Sequence, residues 1–485
     1  MATILWGSPL LAVILLLAWG RVDTPSAAAV GAGLAVAVAL TVAPQTLNIG
    51  QTLIAIAKGL WLSWIATSVI FGGLFFQQVL HHLRHEEIAE PDPAAKDERY
   101  RQLFAACFLI GPFAESATGF GVGYVIALAL IARQQSLGPI PLLLFGLFSQ
   151  TLVPWGALAV GTIVGAHLAD LPPQDLGWRS AILTLPLLGT WLLLFWRIAT
   201  RAGIAVTVGR AADDLGWTAL IGAALLISNR LIDPEVAAVA ALGPLIALRF
   251  WRDARPDAQS WRRAFHAAAP YAALSAILIL SRAVPPLRRL LGHNLVLEPP
   301  LADAAPWAVL LHPFLWLMIV PLATALLTGR AQALPTSLIE TWRRGRKAIA
   351  ATVLFLVMAQ LLAGSGIARG LASAILTALG PTAAIALSPL FAAIGGLLTG
   401  STTGSNGLFM PSQVGLAAAA GLADFGWLAA IQNTTASALT MLSPIRVAMG
   451  CAFLGRPELE RPTYRAAWPL GVIPLLVMIA AALLR

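Results

Sequence analysis

Charge is what this chain lacks most. Of its 485 residues only 11% are Asp, Glu, Lys or Arg, and lysine occurs only at Lys58, Lys96 and Lys347. Soluble domains carry about a quarter charged residues, so this scarcity, beside 58% hydrophobic residues, excludes a soluble globular protein. No polar stretch is long enough to fold as a separate aqueous domain. Cysteine is nearly missing too: Cys107 and Cys451 both lie in apolar segments, and no disulfide framework is indicated. A Gly-x-x-x-x-Gly-Lys-Ser/Thr loop is absent, which argues against ATP-driven work by this chain.

What is there is oil. Mean hydropathy is +0.81. Apolar runs of about 20 residues, enough to cross hydrocarbon as helices, follow one another along the sequence. They cover 3–19, 27–43, 53–80, 103–132, 139–168, 178–199, 215–232, 234–250, 266–284, 306–328, 348–379, 384–421, 424–455 and 466–484. The polar insert 81–102 is aqueous. This predicts an all-α polytopic membrane protein with about 12 to 14 crossings.

The net charge of +9 comes from short basic clusters between apolar runs, such as Arg249, Arg252, Arg255, Arg262 and Arg263, then Arg343, Arg344, Arg346 and Lys347. Cytoplasmic loops look like this, and with no aromatic-basic module a nucleic-acid partner is not expected. Arg230, Asp233 and Glu235 read as a turn ahead of a helix opened by Pro234, and Arg282 with Arg288 and Arg289 reads as a loop edge. Lys58 reads as a side chain reaching for the interface. His81, His82 and His85 in the insert, and His167 with Asp170, lack an accompanying acid or Cys cluster. No metal and no cofactor are expected.

Two apolar runs are interrupted by glycine. "FAESATGFGVG" (113–123) places Glu115 among small residues, and "TGSTTGSN" (399–406) repeats the Ser-x-Thr-Gly of 116–119 at 401–404. Downstream, "SQT" (149–151) and "QNT" (432–434) sit at similar offsets. Non-helical backbone at membrane depth survives only inside protein or beside a wet cavity. Paired interruptions point to a carrier of two inverted repeats, 1–215 and 216–485, with broken or re-entrant hairpins meeting at its site.

Three readings of the first motif compete. A dinucleotide loop needs a strand and a βαβ unit, which are absent. A channel filter needs several copies around an axis, and Ala117 stands where the extra Thr belongs. A carrier site fits: free N–H groups at half-helix ends suit an anion, and an intramembrane carboxyl such as Glu115 can take up and release a proton.

At these residues the chain resembles the bacterial L-lactate permease family, carriers of lactate and related 2-hydroxy acids such as glycolate. "FAESATGFG" resembles Phe-Leu-Glu-Gly-Ala-Ala-Gly-Phe-Gly, matching Glu115, Gly119, Phe120 and Gly121. "SQTLVPWGALAVG" is similar to Asn-Thr-Ala-Pro-Val-Ala-Phe-Gly-Ala. "LLTGSTTGSNGLF" resembles Phe-Leu-Thr-Gly-Ser-Asp-Thr-Ser-Ser-Asn-Ala-Leu-Phe, and "QNTTASALTMLSPIRVA" resembles Asn-Thr-Thr followed by a Met-Ile-Ser-Pro turn. Two departures stand out. The family's Asp is Thr402 here, and its Lys before the Ser-Pro turn is absent, as though an ion pair had been dropped as a unit. Arg446, where the family has a small polar residue, is assigned the positive charge for a substrate carboxylate. From 200 to 345 only hydropathy matches.

The resemblance and the motifs together give the expectation: a proton-coupled carrier of a small organic anion, L-lactate, D-lactate or glycolate, in the bacterial cytoplasmic membrane. Glu115 is the proton site. Ser116, Thr118, Gly119, Gly121, Gln150, Thr399, Gly400, Ser401, Thr402, Thr403, Ser405, Asn406, Asn433, Thr434, Thr435, Ser443 and Arg446 are the expected substrate-site residues. Sodium coupling with another organic anion is the alternative, ahead of a channel or a membrane enzyme. Self-association into a homo-oligomer is left open.

Overall fold

A computed structural model describes residues 2–83, 96–132, 137–301 and 304–484. The middle of the polar insert and His85 lie outside the described residues. The first half opens with α1 (Ala2–Trp19), α2 (Thr24–Thr41), α3 (Ile49–Leu83) and α4 (Lys96–Ala105). It continues with α5 (Gly111–Thr118), α6 (Val122–Ala132), α7 (Pro139–Leu147), α8 (Gly156–Ala169) and α9 (Pro173–Arg201). Next come α10 (Val208–Leu231), α11 (Ala237–Ala254), α12 (Ala258–Ala283), α13 (Pro285–His293) and α14 (Pro313–Leu327). The last part holds α15 (Ala333–Gly364), α16 (Ile367–Leu379), α17 (Pro381–Thr399) and α18 (Thr402–Ala419). It closes with α19 (Gly426–Thr440), α20 (Pro444–Phe453), α21 (Glu460–Ala467) and α22 (Pro469–Leu483). The described strands are the two-residue β1 (Val296–Leu297) and β2 (Trp307–Ala308), paired antiparallel.

Among the described residues ten stretches are long and apolar enough to cross a membrane, and α7 with α8, bent by 54°, makes an eleventh. Helices α6, α14 and α16 are apolar but shorter. The expected 12 to 14 crossings exceed what length alone supports, because several long apolar runs are not single helices. The 348–379 run divides where Gly366 takes φ 71° between α15 and α16. The 103–132 run holds a π-turn at Ala106–Ile110 and a break after Thr118.

Helices α3 and α15 are the long spine. They cross so closely that a β-carbon on Gly59 would lie 2.5 Å from the Val357 Cα, so only glycine permits the approach. Helices α1 and α2 pack outside this pair, while α8 and α9 pack with α18, α19 and α22. Ile4, Leu15, Trp19, Leu53, Trp64, Leu193, Ile227 and Leu476 are exposed, which suits a lipid-facing surface.

Two basic residues read as loop positions are in fact buried. Arg249 is 3% exposed in α11, ion-paired with Asp213 (3.2 Å) and Asp253 (2.5 Å) and held between the Phe104 and Trp217 rings. Arg282 is also 3% exposed, inside α12, and pairs with Glu235 at 2.5 Å. Both bury a delocalised cation by setting acids against it, although Arg249 Nη2 has no hydrogen-bond partner.

Candidate functional site

The first break begins where α5 stops. Thr118 Oγ1 turns back to donate to the Ala114 carbonyl (2.7 Å), and Gly119, Phe120 and Gly121 follow at φ 73°, 58° and 83°. Glycine takes these angles freely and Phe120 does not, so the turn is locally strained. The chain then re-enters helix as α6, and Glu115 caps it from behind. Its carboxylate accepts from the Gly121 N–H (3.0 Å) and the Gly123 N–H (3.1 Å), where the helix N-terminus favours an anion. The carboxylate also meets Arg446, whose Nη2 donates to Oε1 at 3.0 Å across 331 positions of sequence. Glu115 and Arg446 are 2% and 6% exposed. A lone charge at this depth is costly, whereas here the carboxylate is satisfied by the guanidinium and two N–H donors. Arg446 Nη1 is buried and without a partner.

The second break has the same construction. Thr399 Oγ1 donates to the Gly395 carbonyl (2.7 Å), Gly400 takes φ 64°, and Ser401 caps α18 by accepting from the Gly404 N–H. Thr118-Gly119 and Thr399-Gly400 therefore occupy equivalent positions. The Ser-x-Thr-Gly match at 401–404 sits in the first turn of α18 instead, so the register read from sequence is one helical turn out.

The contacts that join the breaks run crosswise. A β-carbon on Gly119 would lie 2.6 Å from the Ala157 Cβ, and one on Gly400 would lie 3.0 Å from the Ser443 Oγ. Two residues further on, Gly121 abuts Arg446 in α20, and a β-carbon on Gly161 in α8 would lie 2.7 Å from the Thr402 Cβ. Each break thus touches the irregular segment of its own portion and the helix that follows the irregular segment of the other. The earlier irregular segment holds short 3-10 turns at Phe148–Gln150 and Val153–Trp155, then Ala157, Leu158 and Ala159 at φ 47°, 54° and 59°. A left-handed turn of non-glycine residues costs roughly 1–2 kcal/mol per residue, so this one is held by its surroundings.

Behind the breaks lies an amide network. Asn406 Nδ2 donates to the Gly161 carbonyl (3.0 Å) and to Asn433 Oδ1 (2.9 Å). Asn433 Nδ2 donates to Thr162 Oγ1 and Ser180 Oγ, both at 3.0 Å. Gln432 Nε2 donates to Ser405 Oγ (3.1 Å), and Thr402 and Ser437 hydroxyls pair at 2.9 Å. Asn406 and Asn433, expected at the substrate, are engaged in joining α18 and α19 to α8 and α9. Thr118, Thr399, Ser401 and Ser443 serve helix ends and caps. Thr403 is buried.

Other expected residues keep free polar atoms. Ser116 Oγ, Gln150 Oε1, Thr434 Oγ1 and Thr435 Oγ1 are buried and without a hydrogen-bond partner, as is the neighbouring Thr151 Oγ1. Buried polar atoms are normally paired, and these fall on the broken elements and the helix between them. Sequence reasoning did not single out Gly161, Thr162, Ser180 or the Ala157–Ala159 turn. Gly161 and the turn fall within "SQTLVPWGALAVG", where alanine and leucine give no signal for a left-handed turn, while Thr162 and Ser180 lie in apolar helices outside any motif.

A family model described as L-lactate permease matches residues 2–483. The chain belongs to the L-lactate permease family. Among curated relatives, the L-lactate permease of Salmonella typhi is 25% identical over 465 residues, covering 84% of this chain and 81% of that one. The L-lactate permease of Escherichia coli K12 is 24% identical over 501 residues, covering 90% and 88%. Among solved structures, the Alcanivorax borkumensis YdaH transporter aligns with a TM-score of 0.44 and 13% identity, covering 90% of this chain and 86% of that one. The relatives are named permeases, not enzymes, and membership makes this chain a multi-pass transporter of the cell membrane that takes a small organic anion.

Proposed function

We propose that this chain carries a small monocarboxylate, lactate or glycolate, together with a proton, and that Glu115 and the substrate exchange places on Arg446. The observation that carries the reading is the buried Glu115–Arg446 pair, with Arg446 Nη1 unpartnered beside it. Without substrate, the guanidinium is neutralised by the Glu115 carboxylate. When Glu115 takes a proton, Arg446 is free to hold a substrate carboxylate bidentately. One proton and one anion then enter together, and the buried site never holds an uncompensated charge. The free hydroxyls and amide oxygen of Ser116, Gln150, Thr434 and Thr435 suit the substrate's hydroxyl. The matched breaks at Thr118-Gly119 and Thr399-Gly400, and their crosswise contacts, support two related repeats, 1–215 and 216–485.

The test is uptake into reconstituted vesicles under an imposed pH gradient. Saturable lactate accumulation with about one proton per lactate is expected. Glu115→Gln should abolish accumulation while lactate counterflow persists, since Arg446 is then free without protonation. Equal accumulation by the variant and the parent removes Glu115 from the mechanism, and accumulation driven by a sodium gradient at clamped pH replaces the proton altogether.

A further inference from the structure

A second buried charge cluster lies where three links converge. Arg282, from α12, donates Nε (3.1 Å) and Nη2 (2.5 Å) to Glu235 Oε2 ahead of α11. Its Nη2 also reaches the Leu311 carbonyl ahead of α14 (2.8 Å), and its Nη1 reaches Ser281 Oγ (2.8 Å). Asp233 Oδ1 accepts the Glu235 N–H (3.0 Å), and Asp233 faces Arg288 of α13 at 3.9 Å. His312, next to Leu311, has a buried Nδ1 with no partner. The charged and titratable groups around Glu235 are therefore Asp233, Arg282, Arg288 and His312.

The cluster opens onto a small, half-open cavity. A cavity of about 10 Å³ is walled by Glu235 and His312 on its polar side and by Leu62, Leu158, Val160 and Val164 otherwise. That is room for about one water, and a water there needs polar partners, which Glu235 and His312 Nδ1 offer. Leu158 is the middle of the left-handed turn. Two residues back, a β-carbon on Gly156 would lie 3.9 Å from Glu115 Cγ. The strained turn thus lies beside both this cavity and Glu115.

We propose that Glu235 and His312 form a proton relay that serves Glu115 through this cavity, with the Ala157–Ala159 turn as its barrier. A proton from bulk water binds the Glu235 carboxylate and releases it from Arg282. The carboxyl then gives that proton to a water in the cavity, restoring the Glu235–Arg282 pair, and the water passes a proton to Glu115 when the turn shifts. His312 is a positioning residue: its Nδ1 lone pair accepts a hydrogen bond from the water and orients it. That nitrogen has no other hydrogen-bond partner in the structure. The relay rests on the reading of Glu115 as the proton-carrying group.

The experiment uses the full chain in vesicles loaded with a pH-sensitive dye, with lactate-driven proton uptake and labelled-lactate counterflow measured in parallel. Glu235→Gln should slow proton uptake at least tenfold and His312→Gln about fivefold, with counterflow within twofold of the parent in both. Proton uptake unchanged in both variants refutes the relay, as does a matching loss of counterflow in His312→Gln, which marks a merely structural role. Should Glu235→Gln fail to fold, His312→Gln decides alone. A parent that exchanges lactate without proton uptake overturns the coupling reading and the relay with it. A parent that takes up protons beside variants that do so equally well overturns only the relay.

Discussion

Asn433 separates two roles that are indistinguishable in the sequence. As a substrate ligand its amide would be free for a hydroxyl; as a clamp it joins portions of the chain. In the structure it makes three side-chain hydrogen bonds, to Asn406, Thr162 and Ser180, at 2.9–3.0 Å and with complete burial. Asn433→Ala removes all three. Hydrogen bonds between membrane helices average about 0.6 kcal/mol, which sets a floor of about 2 kcal/mol for the loss. The Asn406 amide retains its bond to the Gly161 carbonyl, but the Thr162 and Ser180 hydroxyls lose their donor, and a stranded buried group adds about 1–3 kcal/mol. A total of about 3 kcal/mol should show as a clear drop in unfolding temperature of the detergent-solubilised chain, by intrinsic tryptophan fluorescence. The lactate KM of the surviving folded fraction should stay within threefold. An unchanged melting temperature with a tenfold higher KM would refute the clamp and return Asn433 to the substrate.

Three further outcomes are expected. Ala159→Gly should raise the melting temperature, by about 1 kcal/mol of relieved left-handed strain, while slowing transport, because it favours the conformation seen here; a lower melting temperature contradicts the strained turn. Arg249→Met should cost about 2 kcal/mol of stability, since Asp253 and the partly exposed Asp213 lose their buried cation; a neutral effect in the same melting assay would show that Arg252, which pairs with both acids, satisfies them alone. Burial, then the Glu235 charge, push the Asp233 carboxyl up to about 6, so its favourable contribution is complete below the ordinary carboxylate range and is lost as pH rises through 6; Asp233→Asn should flatten that fall in melting temperature, and a parallel curve would refute the assignment.

The sequence was legible wherever a single segment carries its own signal. Apolar runs such as 3–19, 27–43 and 178–199 became α1, α2 and α9 because length and hydropathy alone decide them. The breaks at Gly119 and Gly400 were legible because glycine there clusters with small polar residues inside an apolar run. Glu115 and Arg446 were each singled out, but not as partners: they lie 331 positions apart, and one sequence carries no information about such a pairing. Arg249 and Arg282 were read as loop residues because an arginine near the end of a run looks the same whether it reaches water or folds back onto an acid. The register of the repeated motif failed for a related reason. Ser-x-Thr-Gly is a string, whereas the equivalence lies in where a threonine closes a helix and a glycine turns positive.

The acid and base that the resemblance implies, and that this chain lacks, have a structural counterpart. Where the family has Asp this chain has Thr402, and its hydroxyl meets Ser437 of α19 at 2.9 Å, in the stretch from which the family's lysine is missing. A neutral hydroxyl pair thus joins α18 to α19 here, and Arg446 remains as the buried cation facing Glu115. If acid and base were lost as a unit, they should be restorable as a unit. Thr402→Asp alone places a carboxylate at a 5% exposed position and should cost about 3 kcal/mol or more, seen as a lower melting temperature and poor yield. Thr402→Asp with Ser437→Lys should recover at least half of that loss, because each new charge then has a partner across the same gap. A double variant as unstable as the single one would mean that the two positions do not form an ion-pair site, and that Thr402 and Ser437 are matched for packing alone.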